Sequence, residues 1–242
     1  MTSIKTTGMN RDVLARGDVL AAARARDGKD TTVLTDEALI ASRRAFIPDD
    51  YQGEDIWVFG YGSLISNPIV DFTEKQPAKI YGYHRRFCMW TRIGRGSPDC
   101  PGLVLALDNG GSTKGMCLRI PAHKAPQELD ILWRREMMAD SYRPIWLQAK
   151  TQKGSVRALS FAIRRNRPVY APPMSDEATA DIIHKAVGFV GPCRDYLEQT
   201  YEALCQADIH DKQMRRLIKL VKQLDNKPSD TSLLAKYHQG LW

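Results

Sequence analysis

Two places in this chain bring together residue types that can do chemistry. The first is Trp57-Val58-Phe59-Gly60-Tyr61-Gly62-Ser63-Leu64. Trp57, Val58 and Phe59 favour a strand, and the strand runs into a two-glycine turn. Glycine there lets a ligand approach the main chain closely. Such a turn aims unpaired N–H groups at an anion, for example a carboxylate. Spacing excludes two other chemistries. A dinucleotide loop needs G-x-G-x-x-G, and Ile65 stands where the third glycine belongs. A nucleophile elbow needs G-x-S-x-G, and Ser63 is flanked by Tyr61 and Ile65 at those offsets. The turn therefore reads as an anion cradle, with an ordinary strand-to-helix turn as the plain alternative.

The second place is Glu136. Leu129, Leu132, Trp133 and Met137 fall at helical spacing and define a buried stripe. Glu136 lies three residues from Trp133 and four from Leu132, on that same face. An acid on an apolar face is costly unless paired or protonated. Desolvation raises its pKa, which suits a general base working near neutrality. The alternative is a buried ion pair with Arg135, Arg143 or Arg86. Glu128 and Asp130 fall on the polar side of the same helix. Asp108, in Asp108-Asn109-Gly110-Gly111, is expected to make a hairpin turn. Cys88, among Phe87 and Trp90, reads as core, and Ser63 has no evident histidine partner.

The elements that must position these groups follow from pattern. Residues 1–54 read as an N-terminal extension: one helix over 11–26 between Asn10 and Gly28, then a second, Asp36–Phe46, capped by Thr35. The core is expected over 56–165, with strands at 56–60, 78–91, 103–107, 114–120, 144–151 and 156–164 and one helix near 122–138. Strands crossed by a single helix indicate an α+β fold rather than alternating βαβ units. A strongly bent sheet or small barrel fits, because Gly82, Gly102 and Gly115 sit where bends are needed. After Pro172-Pro173 the pattern turns helical: Ser175 caps a helix to about 188, and others run to about 206 and over 210–224. The main domain is thus expected over 55–225, with 226–242 as a tail.

Composition bounds the class. Of the 242 residues, 43% are hydrophobic and 26% charged, as in ordinary globular domains. No run is long enough to span a bilayer and the N-terminus lacks a secretory pattern, so a cytoplasmic protein without membrane insertion is expected. The five cysteines are odd in number, widely spaced and lack C-x-x-C, and the histidines lack metal-site spacing. Neither disulfides nor a metal is expected. The net charge of +7 is spread over short pairs such as Arg134-Arg135, Arg164-Arg165 and Arg215-Arg216. That is unlike a nucleic-acid groove, and no nucleic-acid partner is expected.

Four stretches together resemble the ChaC-type γ-glutamylcyclotransferases, which act on glutathione. They are Val58 to Ile65 with Asn67-Pro68; Gly82-Tyr83-His84-Arg85-Arg86-Phe87; Arg95-Gly96-Ser97 with Pro101-Gly102; and Arg135-Glu136 followed by Tyr142. The resemblance implies a mixed barrel-like α/β cyclotransferase fold with flanking helices, and no cofactor. It implies that Tyr61, Gly62, Ser63 and Leu64 hold the γ-glutamyl group and that Glu136 is the base. Arg86 would add charge, and Tyr142 would contact substrate or Glu136. The implied substrate is glutathione, split into 5-oxoproline and Cys-Gly. The rivals are a cyclotransferase for other γ-glutamyl amines or dipeptides, and a non-catalytic sensor, since family members have been labelled cation-transport regulators. Leu103, Ser66 and the Met137-Met138-Ala139-Asp140 link depart from common family patterns and bear on substrate preference.

Overall fold

A computed structural model describes residues 11–16, 33–92 and 94–225. Five strands close into a barrel in the order β1-β3-β2-β4-β5. They are β1 (Ile56–Gly60), β2 (Glu74–Thr91), β3 (Gly102–Ile120), β4 (Tyr142–Thr151) and β5 (Gly154–Ile163). Neighbours in this order are antiparallel except at the closure, where β5 runs parallel to β1 through Trp57–Ala158 and Val58–Leu159 and also meets β3 in parallel at Leu107–Ala162. Helices flank the barrel, so the fold is α+β.

The expected strands at 103–107 and 114–120 are one strand. Asn109-Gly110-Gly111 is not a hairpin turn: β3 continues through it, pairing Asn109 with Tyr83 and Ser112 with Tyr81. Gly110 and Gly111 on β3 face Gly82 on β2, and the three have φ of 94°, 69° and 82°. Both strands bend at one shared glycine corner, and a bulge there turns the ribbon toward closure. Gly115 has a different task. A Cβ on it would lie 2.3 Å from the Gly60 carbonyl oxygen and 2.6 Å from the Phe59 ring. Only a glycine lets β3 press against β1 at that point.

Asp108 is correspondingly not a turn residue. It is 1% exposed and holds a network. Arg86 Nη2 donates to its Oδ2 at 2.7 Å, Arg165 Nε to its Oδ1 at 2.6 Å, and the Tyr170 hydroxyl to its Oδ2 at 3.1 Å.

Two helical layers cover the barrel. On one side lie α1 (Arg11–Ala15), α2 (Asp36–Phe46) and, after a short 3-10 turn, α4 (Ala125–Glu136). The Thr35 hydroxyl accepts the Ala38 N–H at 3.1 Å, as its place before the helix predicts. The remainder of the expected helix over 11–26 lies outside the described residues, as does the tail. The stripe of α4 is buried as the period predicts, with Leu129, Leu132, Trp133 and Met137 at most 2% exposed.

The opposite side of α4 differs from expectation. Glu128 is 2% exposed. Arg11 grips its carboxylate at 2.6 and 2.7 Å, and the Asp71 N–H donates to it at 2.8 Å. Arg43, itself buried, donates to Asp130 at 2.7 Å. The N-terminal segment lies over what helical periodicity alone marks as a solvent face.

On the other side pack α5 (Asp176–Lys185), a two-residue-stranded hairpin of β6 (Val187–Gly188) and β7 (Gly191–Pro192), α6 (Cys193–Gln206) and α7 (Lys212–Leu224). Ser175 caps α5 through the Ala178 N–H, and Asp211 caps α7 through the Met214 N–H.

Candidate active site

Strand β1 ends at Gly60, and the chain turns at once into a single-turn helix, α3 (Ser63–Ser66), with Gly62 at its N-cap. Short helices leave their first N–H groups without intrahelical partners. The turn is seated by three apolar contacts of different origin. Tyr61 lies in the barrel interior, Leu64 packs with the α4 side, and Ile65 packs with the C-terminal helices. Cations hold its carbonyls: Arg85 Nη1 donates to Tyr61 O at 2.7 Å and Lys75 Nζ to Ile65 O at 3.1 Å.

Arg135, at the last turn of α4, joins the turn to the acid. Its Nη2 donates to Ser63 Oγ at 2.7 Å and its Nη1 to Asn67 O at 2.6 Å. Its Nε lies 3.3 Å from Glu136 Oε1. Of the three arginines that could pair Glu136, it is Arg135 that does so. Arg143 donates instead to the Tyr83 hydroxyl, and Arg86 to Asp108.

Glu136 keeps 13% of its side chain exposed. Burial pushes its carboxyl above the usual glutamate range, and the adjacent Arg135 charge only partly opposes this.

Three phenols surround this acid. The Tyr61 hydroxyl donates to Phe161 O at 3.3 Å and that of Tyr142 to Leu105 O at 3.2 Å. Tyr196, from the first turns of α6, meets the Leu105 backbone and packs edge-on against Phe87. Its hydroxyl would lie 3.8 Å from a Cβ placed on Gly62. Burial raises the pKa of all three, and the charge of Glu136 raises each further; Tyr196 is pushed up to about 12. Near neutral pH these hydroxyls therefore keep their protons. Cys88 offers no nucleophile, since burial pushes its thiol up to about 12.

The structure thus brings together Tyr61, Gly62, Ser63, Leu64, Glu136 and Tyr142. It commits Arg86 elsewhere, to Asp108, Tyr170 and Ala171 O. From the Arg85-Arg86 pair it is Arg85 that reaches the turn, at the Tyr61 carbonyl. Period-two alternation carries the signal for this, because Arg85 stands two residues before buried Phe87 and shares its face. Tyr196 has no comparable signal. In sequence it is one more member of an apolar helical stripe with Leu197 and Thr200, and only the fold carries it to Gly62. Among the described residues, no three or more His, Cys, Asp or Glu side chains gather in a way that could hold a metal ion.

The chain is 36% identical over 188 residues to the Escherichia coli K12 protein named glutathione-specific gamma-glutamylcyclotransferase, covering 77% of this chain and 80% of that one. It is 32% identical over 181 residues to gamma-glutamylcyclotransferase 2-3 of Arabidopsis thaliana, covering 70% and 89%. The crystal structure of a γ-glutamyl cyclotransferase specific to glutathione from yeast matches its fold with a TM-score of 0.64 at 23% identity, over 71% of this chain and 97% of that one. The family model described as ChaC-like protein matches residues 56–224, which contain the glycine turn, Glu136 and all three phenols, and the chain belongs to that family.

Proposed function

We propose that this protein is a cofactor-independent, glutathione-specific γ-glutamylcyclotransferase of the cytoplasm, the activity its E. coli relative carries by name. The observation that carries the residue assignment is Glu136: an acid with a raised pKa beside an anion-cradling turn, among phenols that keep their protons.

In this reading the glutamyl α-carboxylate rests on the N–H groups of the Tyr61–Leu64 turn. Glu136 takes a proton from the α-amino group. The amine nitrogen attacks the γ-carbonyl of its own residue, closing a five-membered lactam. The γ-amide C–N bond then breaks, and Glu136 returns the proton to the leaving cysteinyl nitrogen. The products are 5-oxoproline and Cys-Gly, with no net oxidation and no water consumed. The hydroxyls of Tyr61, Tyr142 and Tyr196 serve as donors to the oxygen that gains charge as the carbonyl becomes tetrahedral, those of Tyr61 and Tyr142 by turning away from the Phe161 and Leu105 carbonyls.

Because nucleophile and electrophile belong to one molecule, the protein's task is conformational. Holding an amine against a carbonyl in a reactive pose is worth up to about 7–11 kcal/mol in well-oriented systems. That explains how one base and a cradle suffice.

The test is incubation with millimolar glutathione, following 5-oxoproline and Cys-Gly by mass spectrometry, beside Glu136→Gln. Both products should form with wild type. The variant should keep the fold and lose turnover by about 10²–10⁴-fold, the usual worth of a general base. Near-normal turnover in Glu136→Gln removes the base assignment. Intact glutathione with turnover of other γ-glutamyl dipeptides moves the substrate, and binding without turnover of any points to a sensor.

A further inference from the structure

We propose that Arg85 and Asp211 are a positioning pair for the glycine turn, so that the C-terminal helix α7 takes part in binding the substrate carboxylate. This rests on the γ-glutamyl reading of the turn. The Arg85 side chain is 4% exposed. It donates from Nη1 to Tyr61 O at 2.7 Å and from Nε to Asp211 Oδ2 at 2.7 Å. The other oxygen of Asp211 accepts the Met214 N–H at 3.0 Å, capping α7. One carboxylate thus joins the start of α7 to an arginine seated under the turn. A guanidinium bonded at two positions of its planar fork has little freedom to rotate.

Peptide geometry turns this anchor into a statement about binding. The Tyr61 carbonyl and the Gly62 N–H belong to one planar trans unit and point in opposite directions. Fixing the carbonyl inward on Arg85 fixes the N–H outward. The Ser63 and Leu64 N–H groups share their peptide planes with the Gly62 and Ser63 carbonyls, which accept the Ile65 and Asn67 N–H groups at 2.9 Å each. Among the described residues, the N–H groups of Gly62, Ser63 and Leu64 meet no protein acceptor. They are left as a row of donors whose direction is set from behind. Arg85 touches no substrate in this arrangement; it acts through the peptide plane.

The pair should therefore govern substrate affinity more than the chemical step, which belongs to Glu136. Steady-state kinetics with glutathione separate the two. Asp211→Asn keeps a good capping residue but removes the charge that holds Arg85. Arg85→Met removes the anchor outright, and Arg85→Lys restores a cation with one bond. Ser175→Ala is the control, a helix cap remote from the turn.

Asp211→Asn and Arg85→Met should raise KM by about tenfold or more while kcat stays within about threefold. Arg85→Lys should recover part of that loss. Ser175→Ala should lower Tm and leave KM unchanged. An unchanged KM in Asp211→Asn, or a loss confined to kcat, overturns the pair. Should Arg85→Met fail to fold, Asp211→Asn alone decides. A wild type that leaves glutathione intact overturns the underlying reading and this one with it, whereas an active wild type with unchanged variants overturns the pair alone.

Discussion

Burial holds the Glu136 carboxyl above the usual range, with Arg135 in partial opposition, and this has a measurable sign. A carboxyl whose folded pKa is raised binds its proton more tightly in the folded state. Its contribution is fully present below the unfolded pKa and is lost as pH rises through the folded pKa. Glu136→Gln removes that loss. The variant should therefore match wild type in Tm near pH 4 and exceed it near pH 7.5, the gap opening upward with pH. A variant that becomes progressively less stable than wild type over that range would mean the Arg135 pair outweighs desolvation. Glu136 was legible because periodicity alone puts an acid on the stripe of Leu132 and Trp133. Arg135 as its partner was one of three candidates, because a helix face cannot say which arginine a neighbouring loop leaves free.

Elements were legible where the signal is local. Thr35 and Ser175 cap their helices through the N–H three residues on, and β1 spans the five residues that its composition marks. Asn109-Gly110-Gly111 was misread because a hairpin turn and a glycine corner use the same residues. The choice is made by Gly82 on the partner strand, and that pairing is not local. Asp108 follows from the corner. Burial alone would raise its pKa, but bonds from Arg165 and Arg86 outweigh this and hold it at about 2. These bonds tie β3 to β2 and to the segment at 164–171. Since the folded pKa is depressed, the stabilisation is present above the ordinary carboxylate value and lost as pH falls through about 2. At about 1.4 kcal/mol per unit the shift corresponds to roughly 2 kcal/mol at neutral pH. Asp108→Asn should lower stability by about that much or more at pH 7, since two arginines lose their partner. The deficit should shrink as acid removes the charge from wild type, which urea titrations at pH 7 and pH 2.5 would read. An equal deficit at both pH values would assign the effect to packing.

At the scale of the molecule, the turn lies where three apolar clusters meet. Tyr61 belongs to the barrel interior, Leu64 to the layer of α4, and Ile65 to the C-terminal layer. The acid arrives from α4 and the third phenol from α6, so neither layer alone completes the site. A ligand on the turn must then stabilise both layers together, because binding to the folded state alone adds stability to whatever forms the site. Hydrogen exchange can resolve this, since it reports opening segment by segment. With Glu136→Gln holding unreacted glutathione, exchange should slow at Gly62, Ser63 and Leu64. It should slow as well at the last turn of α4 and the first turns of α6, on opposite sides of the barrel. Protection at the turn and α4 with α6 unchanged would remove Tyr196 from the site and leave α6 a packing element.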